Sequence, residues 1–218
     1  MRISINLLIF VLIVGLSTQC KSQTSTGYAN ELDGCLGIED IQLLNYLTNK
    51  FEQQIMTVYS PNVNKSYKQF LLHVATMNLP QDFFRHSAFV ADLKELREST
   101  FFEKAWTKSS KIQSDEEIIE IPPTIIDGVI QQPQQNQYDH TVLKPDGEYI
   151  KCLAGKNQNK AINDYLEIVK AGIDVSPGLV AQSLHDNLAT EDYETKLTRL
   201  VIAINFYYYI SLLITDER

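Results

Sequence analysis

The chain has 218 residues, a formal charge of −8 at neutral pH and 44% hydrophobic residues. This length allows one domain with a sizeable core, or at most two small domains. The acidic balance argues against binding to nucleic acid, which selects basic surfaces. Only nine glycines are present, and this argues against collagen-like and glycine-rich β designs.

The N-terminus has the pattern of an export signal. Arg2 precedes an apolar run at residues 7–16, and the small and polar residues 17–19 lead to Cys20. The run is about ten residues, which is the length of a signal-peptide core and too short for a comfortable membrane span. This order resembles a bacterial lipoprotein precursor, and the box at 20–23 is similar to the relaxed lipoprotein boxes of Bacteroidota.

The resemblance covers only about the first 23 residues. It implies a signal peptide at residues 1–19, lipidation of Cys20, and a mature protein anchored in the bacterial cell envelope, facing the periplasm or the exterior. Two alternatives stay open: cleavage near Ser17 or Ser22 without a lipid, which gives a soluble periplasmic or secreted protein, and a retained anchor helix. All three routes export the chain from the cytoplasm.

The cysteines fit an oxidising compartment. If Cys20 carries a lipid, Cys35 and Cys152 remain as an even pair that can form a disulfide. Such a bond would close a loop of more than about a hundred residues and would stabilise the fold by up to ~4–5 kcal/mol in the chain-entropy model. The alternative is two buried free thiols.

Helical periodicity begins after a polar tether at residues 20–36, so the sequence predicts a helical domain at 37–218. The first helix is predicted from Glu39, because apolar residues then recur every three or four positions until Pro61 closes the helix. Three more helices are predicted before residue 112 and three after residue 160, with short links typical of a bundle.

Between these two groups of helices the helical period is lost. Residues of about 112–140, named here the strap, are rich in isoleucine, proline and glutamine, and they predict a long extended connection across the bundle. Residues of about 141–152 predict a β-hairpin, because Pro145-Asp146-Gly147 supplies turn chemistry between two β-prone runs.

The last helix, at about residues 191–214, is predicted to be the centre of the fold. Between residues 201 and 214 only Asn205 and Ser211 are polar, so every face of this helix must be covered. Its apolar run of about 14 residues is short for a membrane span, which favours a buried core helix. The predicted fold is mainly α: one helical-bundle-like domain of six or seven helices, with a minor hairpin and the extended strap.

No motif identifies a reaction. The four histidines, His73, His86, His140 and His185, form no close metal-ligand pair, so no metal or cofactor is predicted. His73 and His86 could converge across Pro80. A nucleophilic Cys152 activated by His140 can also be drawn, but only if Cys152 is not in a disulfide.

Two features could bind a partner. One is the strap, which could lie in a groove or pair with a sheet edge of another protein; its candidate residues are Ile118, Ile121, Pro122, Pro123, Ile125 and Ile126. The other is an aromatic cluster that could line a small apolar pocket between helices; it comprises Tyr207, Tyr208, Tyr209, Phe101, Phe102 and Trp106. The bland interpretation of both is burial: the strap covers the bundle, and the aromatic residues fill the core.

The favoured hypothesis is therefore a lipid-anchored, non-enzymatic envelope protein that binds a protein or a small ligand, without nucleic acid and without a cofactor. Two alternatives are an envelope hydrolase whose active groups are dispersed over several helices, and a purely structural tether.

Overall fold

The computed structural model describes residues 27–84, 87–112, 124–126, 129–131 and 139–216. These parts of the chain contain eight α-helices and four short strands. The helices are α1 Ile38–Val58, α2 Val63–Ala75, α3 Ser87–Glu98, α4 Thr100–Ala105, α5 Glu148–Lys156, α6 Lys160–Lys170, α7 Pro177–Asn187 and α8 Lys196–Asp216. The strands are β1 Trp106–Lys108, β2 Thr124–Ile126, β3 Val129–Gln131 and β4 Thr141–Leu143. The predicted mainly α fold with a minor antiparallel sheet is confirmed.

Helix α8 lies at the centre of the molecule. Its first and last segments are α-helical, and Ala203–Tyr208 between them form wider π-helical turns. Every residue from Leu197 to Tyr209 is buried. By length and composition α8 could cross a membrane, but 83% of the apolar window is buried inside the protein itself. The prediction of a buried core helix is confirmed.

The helix boundaries follow local capping chemistry. The side chain of Asn62 accepts a hydrogen bond from the N–H of Lys65 at 3.0 Å and begins α2. Ser176 caps α7, and Pro177 takes the first helical position, where its missing N–H costs nothing. Beyond α6, Gly172 has a φ of +68°, a left-handed conformation that favours glycine.

The predicted hairpin at residues 141–152 is wrong in its second half. Residues Thr141–Leu143 form a strand, but Glu148 begins α5, and the antiparallel partner of β4 is β1, with Thr107 opposite Val142. The physical reason is packing: Tyr149, Ile150 and Leu153 are buried at helical spacing.

The turn before α5 also favours the helix. Gly147 is the N-cap of α5, and it lies so close to α4 that a Cβ there would be 2.3 Å from the carbonyl oxygen of Lys104. The turn residues that suggested a hairpin therefore dock the start of a helix against the end of α4.

The predicted tether at residues 20–36 is too long. Tyr28, Ala29, Leu32 and Leu36 are buried, so the folded domain begins at about residue 27 rather than residue 37. The spacing of these apolar residues fits a short 3₁₀ turn at Asn30–Leu32 packed on α5, which the polar composition of the segment concealed.

The strap contains one described element, the hairpin of β2 and β3. These strands pair in an antiparallel ladder in which Ile125 lies opposite Ile130. In sequence, the two residues between the strands are Asp127 and Gly128, a pair that is typical of tight hairpin turns. In chain order the strap follows β1 and precedes β4, so it connects two strands that pair with each other.

Candidate functional site

A cleft of about 780 Å³ lies beside β1 and is the feature that best suits a binding site. Helices α3 and α4, strands β1 and β4, the turn after β1 and the loop before α5 all contribute to its wall. The lining residues are Arg97, Phe102, Glu103, Trp106, Thr107, Lys108, Lys111, Ile112, Thr141, Lys144, Pro145 and Asp146. We name it the cationic cleft.

The charge of this cleft is opposite to that of the whole chain. Four cationic side chains line it, Arg97, Lys108, Lys111 and Lys144, against the two carboxylates of Glu103 and Asp146. The chain as a whole carries −8. Clustered like charges raise the local concentration of counter-charged ligands, so the cleft favours an anion.

Asp216, near the end of α8, fixes two of these cations. Its carboxylate accepts hydrogen bonds from Arg97 and Lys108, each at 2.8 Å, and from the backbone and hydroxyl of Thr141. Burial by itself raises the pKa of Asp216, but the bonds from Lys108, Thr141 and Arg97 outweigh it and hold the pKa well below its ordinary value. This carboxylate therefore stays ionised and orients one wall of the cleft.

The aromatic part of the cleft is Trp106, the single tryptophan of the chain, with Phe102 beside it. The two ring centroids are 5.5 Å apart. Trp106 is buried, and its indole N–H has no hydrogen-bond partner among the described atoms. A buried donor without an acceptor lowers the stability of the fold, so the indole N–H is an unusual group behind this wall of charged side chains.

Strand β1 also brings a backbone edge to the cleft. The backbone N–H of Ser109 donates to the carbonyl oxygen of His140, and the backbone N–H of Lys144 donates to the carbonyl oxygen of Ala105, both at 2.9 Å. Residues 105, 107 and 109 therefore face β4, and the backbone N–H and C=O of Lys108 point to the opposite edge. That edge has no partner strand within the described chain.

The base of the strap is joined next to the same cleft. Besides the bond from Ser109 to His140, the N–H of Ser110 donates to the carboxylate of Asp139 at 3.1 Å. Hydrogen bonds from Ser110 lower the pKa of Asp139. The two ends of the strap are thus held together by the domain.

The predicted disulfide is present: Cys35 is bonded to Cys152, and their Cα atoms are 5.8 Å apart. The bond joins the segment before α1 to the middle of α5. The alternative of a nucleophilic Cys152 beside His140 is wrong for this state of the protein, because a bonded sulfur has no thiolate. Cys20, the predicted lipidation site, lies outside the described residues.

The strap residues predicted to bind a partner are only partly described. Ile125 and Ile126 lie in β2. Ile118, Ile121, Pro122 and Pro123 lie outside the described residues.

Each of the three described histidines contacts a different partner. The ring of His73 packs edge-on against Tyr59, with centroids 5.0 Å apart. The Nε2 atom of His140 lies 3.4 Å from Oδ2 of Asp174, and the Nδ1 atom of His185 lies 3.0 Å from Oδ1 of the adjacent Asp186. The predicted convergence of His73 with His86 falls on a residue, His86, that lies outside the described part. Among the described residues no group of three or more metal-ligating side chains occurs.

The predicted single aromatic cluster is wrong, because its members lie in two separate groups. Tyr207 packs among the rings of Phe51, Phe83 and Phe89. Phe101 and Trp106 instead pack edge to face, 5.6 Å apart. The separation follows from the fold, since the π-helical turns of α8 contact α1, whereas Phe101 and Trp106 belong to α4 and β1.

A small apolar cavity of about 60 Å³ does occur beside the last of the three tyrosines, Tyr209, between α6 and α7. It is far smaller than the clefts that hold organic ligands. The tyrosines of α8 therefore border a cavity of this small size, and not a pocket large enough for an organic ligand.

Sequence reasoning missed the cationic cleft. Its cations lie between residues 97 and 144, and they converge only because β1 pairs with β4. One signal was visible: the segment from Arg97 to Lys111 has four lysine or arginine residues and two glutamates, in a chain that is otherwise acidic. No known protein family, no curated protein and no solved structure matches the chain.

Proposed function

We propose that this protein is exported, is lipid-anchored at Cys20 in a bacterial cell envelope, and acts by binding another molecule rather than by catalysis. The observation that carries the proposal is the Cys35–Cys152 disulfide. Stable structural disulfides belong to oxidising compartments such as the periplasm and the cell exterior. This compartment agrees with the lipoprotein-like segment that ends at Cys20.

The binding role is supported by the surface of the domain. The cationic cleft joins four cations, two aromatic rings and a strand edge that no other described strand occupies. The strap begins and ends beside this cleft, at Ile112 and Asp139. Both features offer recognition groups, and we propose that both face the same partner.

Anchoring and oxidation are tested by the intact mass of the protein isolated from its native membrane, before and after reduction and alkylation. We expect the mass of an acylated chain that begins at Cys20. Alkylation should add to Cys35 and Cys152 only after reduction. A Cys20→Ser variant is the control, and it should lose the acyl mass and leave the membrane fraction. An unacylated chain in the membrane, or alkylation without reduction, would contradict the proposal.

The role of the strap is tested by replacing residues 113–138 with a short glycine-serine linker. The hydrogen bonds at Ser109 and Ser110 hold the two ends together without the strap, so we expect the domain to fold unchanged. Partners captured by chemical cross-linking in native membranes should then be lost, while the thermal unfolding midpoint stays within a few degrees. Equal cross-linking of both proteins would remove the strap from the interface.

A further inference from the structure

We propose that the cationic cleft is a docking site for an extended acidic peptide segment of a partner protein, which adds a strand to the outer edge of β1. This inference rests on the proposed binding function and assigns it a site and a ligand class. It does not depend on whether Cys20 is acylated, because the cleft belongs to the folded domain.

The cleft contains cations that a ligand can reach. Lys111 is exposed and makes no ion pair within the described chain, and the ammonium of Lys144 reaches only the carbonyl oxygen of Glu103, at 3.5 Å. Arg97 and Lys108 keep side-chain exposures of 36% and 40% while Asp216 holds them in place. Two ammonium groups are therefore open to a ligand carboxylate, and two further cations are already oriented beside them.

The strand edge distinguishes an extended peptide from a small anion. The backbone of Lys108 points away from β4, and no described strand occupies that side of β1. An added strand would receive backbone hydrogen bonds there, and its alternate side chains would fall on one face about 7 Å apart. Acidic residues at alternate positions would then meet Lys108 and its neighbouring lysines.

Trp106 lies in the wall of the same cleft and serves as its spectroscopic probe. Since the chain contains no other tryptophan, the emission of Trp106 reports directly on what enters the cleft.

The test is a fluorescence titration of the full chain in non-ionic detergent. The probe is an acetylated, amidated hexapeptide of alternating glutamate and threonine, and the control peptide has glutamine in place of glutamate. We expect a saturable change in Trp106 emission with the glutamate peptide alone. Raising the salt concentration from about 50 to about 300 mM should weaken this binding, because the charges are partly exposed.

Two variants locate the site. Lys111→Gln with Lys144→Gln should weaken binding about five- to tenfold, since each exposed pair contributes up to about 1 kcal/mol. The matched control is Lys151→Gln with Lys156→Gln, two exposed lysines of α5 outside the cleft lining, which should leave the affinity unchanged. Equal affinity of both double variants, or no response of Trp106 to the peptide, would overturn the proposal.

Two further titrations test the strand pairing and the independence from the strap. The same peptide with alternate backbone nitrogens methylated should lose its binding, because it cannot complete the ladder. If inorganic phosphate displaces the peptide at equal concentration, the cleft is a site for small anions and the peptide assignment is overturned. The variant with residues 113–138 replaced should bind the peptide as the full chain does, so failure of the strap experiment and failure of this one can be told apart.

Discussion

At the scale of single residues, Asp216 joins three parts of the chain that are distant in sequence. Its carboxylate holds Arg97 of α3, Lys108 of β1 and Thr141 of β4 against the end of α8. We expect Asp216→Asn to lower the free energy of unfolding by about 1–3 kcal/mol at neutral pH, because charge-assisted hydrogen bonds are lost. Urea unfolding at several pH values measures this difference.

The sign of the pH dependence follows from the lowered pKa of Asp216. A carboxyl whose pKa is depressed by folding stabilises the protein fully above its unfolded value, about 3.9, and loses that contribution as the pH falls below it. The difference in free energy of unfolding between the native protein and the Asp216→Asn variant should therefore be constant from pH 7 to about pH 5 and should shrink below about pH 4. Asp146→Asn, at an exposed carboxylate of the same cleft, should show no gap beyond about 0.5 kcal/mol.

Arg199 is the most buried cation in an ion pair of the described chain. It donates to Glu52 of α1 at 3.1 Å, to the amide oxygen of Asn64 at 3.0 Å and to the carbonyl oxygen of Tyr193 at 2.6 Å. The side chains of Arg199 and Glu52 are only 11% and 15% exposed. Arg199→Met alone should lower the free energy of unfolding by about 3–5 kcal/mol, because it leaves the carboxylate of Glu52 buried without its cationic partner.

The double variant, with Glu52→Met added, should be more stable than the sum of the two single changes predicts, by about 2 kcal/mol. Chemical unfolding of the four proteins gives this coupling free energy. Additive changes would show that Glu52 finds water or another donor once Arg199 is removed, and that the pair does not act as a unit.

At the scale of elements, α5 shows where sequence patterns mislead. The run Tyr149-Ile150-Lys151-Cys152-Leu153 contains β-prone residues, and Pro145-Asp146-Gly147 suggests a hairpin turn. The choice between strand and helix is made by the surroundings: α4 packs against Gly147, and the edge of β4 is already taken by β1. Neither contact can be seen in the local sequence, because the residues concerned lie some forty positions away.

The longest helices were predictable because their signal is local. In α1, Ile41, Leu44, Leu47, Phe51 and Ile55 are buried, and they recur at the three- and four-residue spacing from which the helix was predicted. The same holds for the core position of α8, whose composition allows no exposed face.

The disulfide acts on a single element, the segment before α1. Replacing Cys35 and Cys152 together by alanine should lower the free energy of unfolding by about 2–4 kcal/mol, since the bond closes a loop with a sequence separation of 117 residues. We expect faster hydrogen exchange at the amides of Cys35 and Leu36, which bond to the carbonyl of Leu32.

The amides of α2 should serve as the internal control in that experiment, because α2 packs mainly against α7 and α1. A uniform rise in exchange over both regions would mean that the bond stabilises the whole domain and does not fasten the N-terminal segment in particular.

At the scale of the whole molecule, the candidate site needed the tertiary structure. Its cations come from α3, from β1 and its following turn, and from the loop before α5, and each of them taken singly looks like an ordinary surface lysine or arginine. What the sequence could predict was the pairing of Cys35 with Cys152, because that inference depends on residue types and their number more than on their arrangement.

The early start of the folded domain limits how far an anchored protein can move from its membrane. Six residues, 21–26, separate Cys20 from Gly27, so even a fully extended chain reaches only about 25 Å. A donor fluorophore introduced through a non-natural amino acid at exposed position 31 should therefore transfer energy efficiently to acceptor lipids in the same vesicle. Inserting about 20 glycine and serine residues after Thr24 should lower the transfer, because the root-mean-square tether length then roughly doubles.

Unchanged transfer would mean that a surface of the domain itself adheres to lipid, which the net charge of −8 disfavours on anionic membranes. Loss of all transfer in Cys20→Ser would in turn show that the acyl chain alone holds the domain near the bilayer.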